Sequence, residues 1–243
     1  MAEITWKSIL TKLVGGDHLT AEESEWFVDD LMQGNANPAA VGAALAMQQQ
    51  LGLTADEVRG AAKAMVSHAV PLNVSGGTTD IVGTGGDGFA TVNLSTMGSV
   101  AAAAAGVKIV KHGNRAVSSS CGSADALEGL GFPLDVAPED VRRLLDERNF
   151  AFLFAPNFHP AFRNVGPIRR ELGIRTLFNL LGPLINPARP THILLGVARP
   201  ELVELLAETL RQSHIRKAAV VYGAGGYDEV TPLGPTKMMI IHN

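Results

Sequence analysis

The sequence is poor in several features that would narrow its chemistry, and each shortage excludes something. Cys121 is the single cysteine in 243 residues, so no internal disulfide can form. That usage fits a reducing compartment and a cytoplasmic location. Lys and Arg number 20 against 24 Asp and Glu, a formal charge of −4, which gives no global pull toward nucleic acid or an acidic membrane. No uninterrupted apolar run is long enough to span a bilayer. The first turns carry Glu3 and Lys7 and lack the apolar stretch of a signal peptide. Aromatic residues are scarce at 5%, and neither internal repeats nor low-complexity segments occur. What is abundant is glycine, 26 residues, in a chain that is 46% hydrophobic. That balance suits an α/β protein with many tight strand-to-helix turns, long enough to bury a sizeable core as one large domain or two unequal ones.

The most informative glycines are in Gly83-Thr84-Gly85-Gly86-Asp87, directly after the strand-like Thr79-Asp80-Ile81-Val82. A strand ending in such a turn brings backbone N–H groups close to a ligand, and a helix-like segment follows within about a dozen residues, the usual setting for phosphate groups. The turn is not a Walker A loop and reads as neither an ATP site nor a standard dinucleotide site. Asn93-Leu94-Ser95-Thr96 then places short polar side chains before an alanine-rich helix, where they either cap it or hold a phosphate or metal ion. A second β-branched run, Val107 to Val110, leads into a polar stretch from Lys111 to Asp125. In open α/β sheets ligands bind at the carboxyl ends of strands, and both of these ends carry anion-friendly groups. His112 reads equally as a buried structural imidazole or as a site residue. Cys121 reads as a small packing residue. Asp228-Glu229 follows the strand-like Ala218 to Tyr222 and a glycine turn. Adjacent loop carboxylates are often just solvated, but Mg²⁺ takes hard oxygen ligands of this kind.

The first seventy residues read as helices. Ile4, Ile9-Leu10, Leu13 and Val14 fit a 3.6-residue period. Thr20 with Glu23 and Thr54 with Glu57 form capping boxes, and Pro38 opens a further helix. Residues 70–79, rich in small side chains, read as a hinge into the sheet domain. After it, candidate strands at 79–82, 107–110, 150–154, 192–198, 217–222 and 238–241 alternate with candidate helices at 97–105, 124–130, 138–148 and 200–213. This predicts an α/β fold: a small N-terminal helical domain and a mostly parallel sheet domain with helices on both faces. The expected domains are 1–74, joined by a return of the chain at 160–187, and 75–243.

GTGGD, NLST, the KHGNRAVSS and GSADALE segments, RRELGIRTLFNLLGPLINP and GYDEV occur in order along essentially the whole chain. Together they resemble the anthranilate phosphoribosyltransferase family, which shares its fold with pyrimidine nucleoside phosphorylases. The resemblance implies transfer of a 5-phosphoribosyl group from 5-phosphoribosyl 1-pyrophosphate to the amine of anthranilate, in tryptophan biosynthesis. It assigns Gly83, Gly86, Asp87, Thr91, Asn93, Leu94, Ser95, Thr96, Lys111, His112, Gly113, Asn114, Arg115, Ala116, Val117, Ser118, Ser119 and Ser123 to the phosphoribosyl pyrophosphate. It assigns Gly83, Asn114 and Arg169 to anthranilate, and Ser95, Asp228 and Glu229 to Mg²⁺. It implies a homodimer paired through the helical domain, with no nucleic-acid or membrane partner. No residue stands out as a general base; an aromatic amine is already nucleophilic, so positioning and electrostatics suffice. Arg170, next to Arg169, points elsewhere on its helix and reads as a surface or salt-bridged residue.

Members of the family normally continue past GYDEV, so the resemblance implies a sheet domain that is C-terminally incomplete here. Two other readings remain: a nucleoside phosphorylase of the same fold, and a non-catalytic nucleic-acid-binding relative. Asn114 to Ser119 favour the transferase over the phosphorylase. Intact site motifs and the negative charge weigh against the nucleic-acid binder.

Overall fold

A computed structural model of the chain describes residues 3–72, 74, 76–89, 92–116 and 121–243. The expected site residues Thr91, Val117, Ser118 and Ser119 lie outside the described residues. In chain order the principal elements are α1 (Trp6–Val14), α2 (Ala21–Gln33), α3 (Pro38–Leu51), α4 (Ala55–Ser67), β1 (Thr79–Gly83), α5 (Leu94–Ala104), β2 (Ile109–Gly113), α6 (Ser123–Gly129), α7 (Pro138–Arg148), β3 (Phe150–Phe154), α8 (Ala155–Phe158), α9 (Gly166–Leu172), α10 (Phe178–Leu181), β4 (His192–Gly196), α11 (Leu202–Arg211), β5 (Lys217–Tyr222) and β6 (Lys237–His242). They form two compact units: Met1–Ala69 with His159–Ile185, and Val70–Phe158 with Asn186–Asn243.

In the helical unit the capping boxes form as the sequence dictates. Thr20 Oγ1 accepts from the Glu23 N–H, and the Glu23 carboxylate accepts from the Thr20 N–H at 2.8 Å. Thr54 and Glu57 do the same, and Thr5 with Ser8 adds a box at α1. Each is worth about 0.5–2 kcal/mol. Phe27, Val28, Leu31, Val41, Leu45, Val58 and Met65 fill the interior. In α1, Ile9 and Leu13 are buried, but Val14 lies one position off that stripe and is exposed. Glu57 is fully buried, and its side-chain oxygens accept from Gln48 Nε2, the Leu19 N–H and the Thr54 N–H, so they are not left without partners.

In the other unit, six strands among the described residues form one sheet in the order β3-β2-β1-β4-β5-β6. The first five are parallel, and β6 runs antiparallel to β5. Alternation places Ile109, Phe150 and Phe152 with α5 and α6 in one cluster. Val110, Ala151 and Leu153 join Val141 and Leu145 of α7 in another, so helices cover both faces here. Edge strand β6 leaves Met238 and Ile240 exposed while Ile241 is buried.

Two boundaries differ instructively from the sequence reading. Strand β2 spans 109–113 rather than 107–110, because Lys111 and His112 are buried within it. Helix α5 begins at Leu94 rather than Met97, with Asn93 as its N-cap, so Ser95 and Thr96 lie inside its first turn. The remaining shifts, at 123–129, 192–196, 202–211 and 237–242, are small frays at element ends.

Candidate active site

The site is built where β1, β4 and β5 end. Gly83, Gly196 and Gly223 close or immediately follow these strands, and each lets the 223–229 loop approach them. A Cβ at Gly196 would sit 1.5 Å from the carbonyl oxygen of Asp228, and one at Gly83 would sit 2.3 Å from its Oδ2. Only glycine allows so close a passage. The turn after β1 is tied back by Thr84, whose N–H donates to the Gly196 carbonyl at 2.9 Å. Read on to Gly88, this run does spell G-x-G-x-x-G. It nonetheless differs from the dinucleotide fingerprint, because it does not open a helix: α5 starts only at Leu94.

The consequence is a carboxylate group. Asp87 from the glycine turn meets Asp228 and Glu229, with one oxygen from each lying within 4.8 Å of the others. The Gly85 N–H donates to Asp228 Oδ2 at 3.2 Å. Burial, then the charge of Asp87, raises the Asp228 carboxyl above its usual range. Glu229 is pushed up to about 7 by burial and by Asp228 and Asp87. Its Oε2 is buried with no hydrogen-bond partner among the described residues. Crowded, partly desolvated carboxylates with a spare oxygen are the donor set that a hard divalent cation satisfies. Sequence reasoning placed Asp228 and Glu229 together and gave Asp87 to the substrate; it did not foresee that Asp87 joins them.

Lys111 does not project from a loop. Its side chain is buried, and Nζ donates to the Ile81 carbonyl at 2.6 Å and to Ser95 Oγ at 3.3 Å. Burial lowers its pKa, and the nearby Asp80 carboxylate pulls it back up. Asp80 is itself fully buried and pushed up to about 6 by burial, with Lys111 acting in the opposite direction. Asn186, which sequence reasoning missed, donates from Nδ2 to Asp80 Oδ2 and to the Val110 carbonyl, both at 2.9 Å. Lys111 thus sits between β1 and the first turn of α5, where it positions Ser95.

The other described residues of the polar segment are less open to a ligand than their composition implies. Arg115 pairs with Asp125 and Glu128, and the Asp125 carboxylate accepts from the Ala116 and Gly122 N–H groups. Asn114 Oδ1 accepts from the Arg115 N–H, and the Ser123 hydroxyl donates to the Asn114 carbonyl at 3.4 Å. His112 is buried and Gly113 half-buried; a Cβ at Gly113 would strike Ser123 Oγ. Cys121 is exposed rather than packed, and its sulfur accepts from Asn93 Nδ2 at 3.4 Å. Thr96 is buried in α5, and Leu94 is exposed. Arg169 belongs to the helical unit. It is half-buried on α9, its guanidinium 5.5 Å from the Phe162 ring centroid, and burial lowers its pKa. Arg170 is exposed.

Comparison with known proteins gives the chain's family. Residues 75–243 match the family model described as "Glycosyl transferase family, a/b domain", and residues 7–69 match its "helical bundle domain". An anthranilate phosphoribosyltransferase of Nitratidesulfovibrio vulgaris (strain DSM 19637 / Miyazaki F) is 57% identical over 234 residues, covering 96% of this chain and 69% of that protein. The chain belongs to the anthranilate phosphoribosyltransferase family. The crystal structure of the Thermus thermophilus enzyme superposes with a TM-score of 0.90 at 44% identity, over 96% of this chain and 70% of that one. The Saccharomyces cerevisiae enzyme, solved in complex with phosphoribosyl pyrophosphate and Mg, gives 0.88 at 31% identity, over 99% of this chain and 73% of that one. Against these relatives the phosphorylase and nucleic-acid-binding readings lose their footing.

Proposed function

We propose that the chain transfers the 5-phosphoribosyl group of 5-phosphoribosyl 1-pyrophosphate to the amine of anthranilate, giving N-(5-phosphoribosyl)anthranilate and pyrophosphate in tryptophan biosynthesis. The observation that carries this is the carboxylate group at the strand ends, in a chain 57% identical to a relative of that name. Asp228, Glu229 and Ser95, with Asp87 beside the two carboxylates, are the residues that hold Mg²⁺. The ion, when bound, neutralises the pyrophosphate and makes it a better leaving group.

The remaining steps belong to the chain's own residues. Backbone N–H groups of the 83–88 turn and of the first turn of α5 face the phosphates, as helix N-termini and glycine nests do. Lys111 adds a buried charge and fixes Ser95. Arg169 takes the acceptor's carboxylate, for which a planar guanidinium fork is suited, and Asn114 and Gly83 complete the acceptor contacts. Positioning the nucleophilic amine then replaces general-base catalysis. The same reading has two copies pair through the helical unit in the cytoplasm; no helix among the described residues is long and apolar enough to cross a membrane. Calorimetry tests it. Phosphoribosyl pyrophosphate should bind tightly only with Mg²⁺, and D228N/E229Q should weaken that binding at least tenfold. Equal affinity with and without Mg²⁺ would overturn the metal assignment.

A further inference from the structure

The two loops that supply the carboxylates also carry an aromatic contact. Phe89, two residues after Asp87, stacks on Tyr227, the residue before Asp228. The ring centroids are 4.4 Å apart and the planes 21° from parallel. Around the stack, the Phe89 N–H donates to Asp87 Oδ1 at 3.2 Å, and Gly223 and Tyr227 bridge the base of the second loop. A Cβ placed on Gly226 would lie 3.5 Å from the Phe89 ring, an ordinary packing distance. Phe89 is 40% exposed, so it is not a core residue.

Carboxylates this close repel one another when no cation lies between them. That repulsion favours separation of the loops. Two contacts between the loops oppose it: the Gly85 hydrogen bond to Asp228 and the Phe89–Tyr227 stack. We propose that Phe89 and Tyr227 form an aromatic clasp that presets Asp87 against Asp228 and Glu229 and thereby sets the divalent-cation affinity of the site. The inference rests on the metal-dependent function proposed above. The clasp touches no reacting atom, so its residues are positioning residues. Losing it costs affinity because the cation must then draw the loops together itself. An aromatic pair of this type corresponds to roughly two- to tenfold in an equilibrium constant.

The test is Mn²⁺ binding to the whole chain, read by electron paramagnetic resonance in the presence of phosphoribosyl pyrophosphate and without anthranilate. Turnover is not needed for the readout. F89A should weaken Mn²⁺ binding three- to tenfold, whereas Y227F and F89Y, which keep the stack, should match the wild type. In steady-state assays F89A should raise the Mg²⁺ concentration for half-maximal rate by the same factor and leave kcat at saturating Mg²⁺ within twofold. Near-unchanged melting of F89A would confirm that folding is intact. Wild-type and F89A affinities that agree within 1.5-fold would overturn the clasp while leaving the metal site standing. A wild-type chain that binds no Mn²⁺ would overturn both.

Discussion

Gly196→Ala adds one methyl group at the end of β4, and the structure indicates what it would do. The new Cβ would lie 1.5 Å from the Asp228 carbonyl oxygen, whereas real Cβ contacts essentially never fall under 3.0 Å. The obstructing atom is backbone, so no rotamer change relieves the clash; the 223–229 loop must retreat by about 1.5 Å, the difference between those two distances. Misplacing a catalytic group by about 1 Å costs on the order of 100-fold. The expected result is a fall of at least about 100-fold in kcat/KM, with a much steeper Mg²⁺ requirement. The stability loss should be no more than an overpacking penalty of about 1–3 kcal/mol, read by thermal melting. Gly98→Ala is the control. Gly98 lies within α5, and a Cβ there meets nothing within 4 Å. That change should stabilise by roughly 0.5–1 kcal/mol with activity unaltered. If G196A retained kcat/KM within threefold of wild type, the claim that the glycine strand ends position Asp228 would be wrong.

Three further outcomes follow from the same structure. Arg169→Ala should raise the KM for anthranilate far more than that for phosphoribosyl pyrophosphate, by about 2–3 kcal/mol or tens- to a hundredfold in kcat/KM; equal losses for both substrates would make Arg169 structural. Asp80, whose carboxyl is raised to about 6, should destabilise the fold as pH rises. The folded state still holds a proton there after the unfolded chain, with a pKa near 4, has released it, so the stability this one group contributes is fully present below pH 4 and is lost as pH rises through 6. Relative to D80N, the wild type should lose about 3 kcal/mol across that window, and parallel stability–pH curves for the two proteins would refute this. Ile240→Lys on the exposed edge strand should lower light scattering at a melting temperature close to wild type; unchanged scattering would show that β6 is not the aggregation surface.

What was legible in the sequence had local signals. Thr20 with Glu23, Thr54 with Glu57 and Pro38 marked helix starts that the structure keeps. The alternation of β-branched runs with amphipathic stretches gave the mostly parallel sheet, and the glycine turn located its ligand-binding end. What was not legible depends on partners far apart in sequence. Lys111 and His112 look like loop residues because nothing local shows why a lysine can be buried; Asp80 and Asn186, 106 residues apart, supply the reason. Asp87 joins Asp228 and Glu229 across some 140 residues, and the glycines that permit this are informative only once the strand order is known. Arg115 was within reach: Asp125 and Glu128 are three residues apart on one helical face, a ready pair of acceptors for a nearby guanidinium.

The most direct measurement is turnover of this 243-residue chain with anthranilate, phosphoribosyl pyrophosphate and Mg²⁺, following loss of anthranilate fluorescence alongside release of pyrophosphate. Consumption of anthranilate and appearance of pyrophosphate in equal amounts, abolished by chelating the metal and by D228N/E229Q, is the predicted result. Turnover that persists after metal removal, or consumption of phosphoribosyl pyrophosphate without loss of anthranilate, would contradict it.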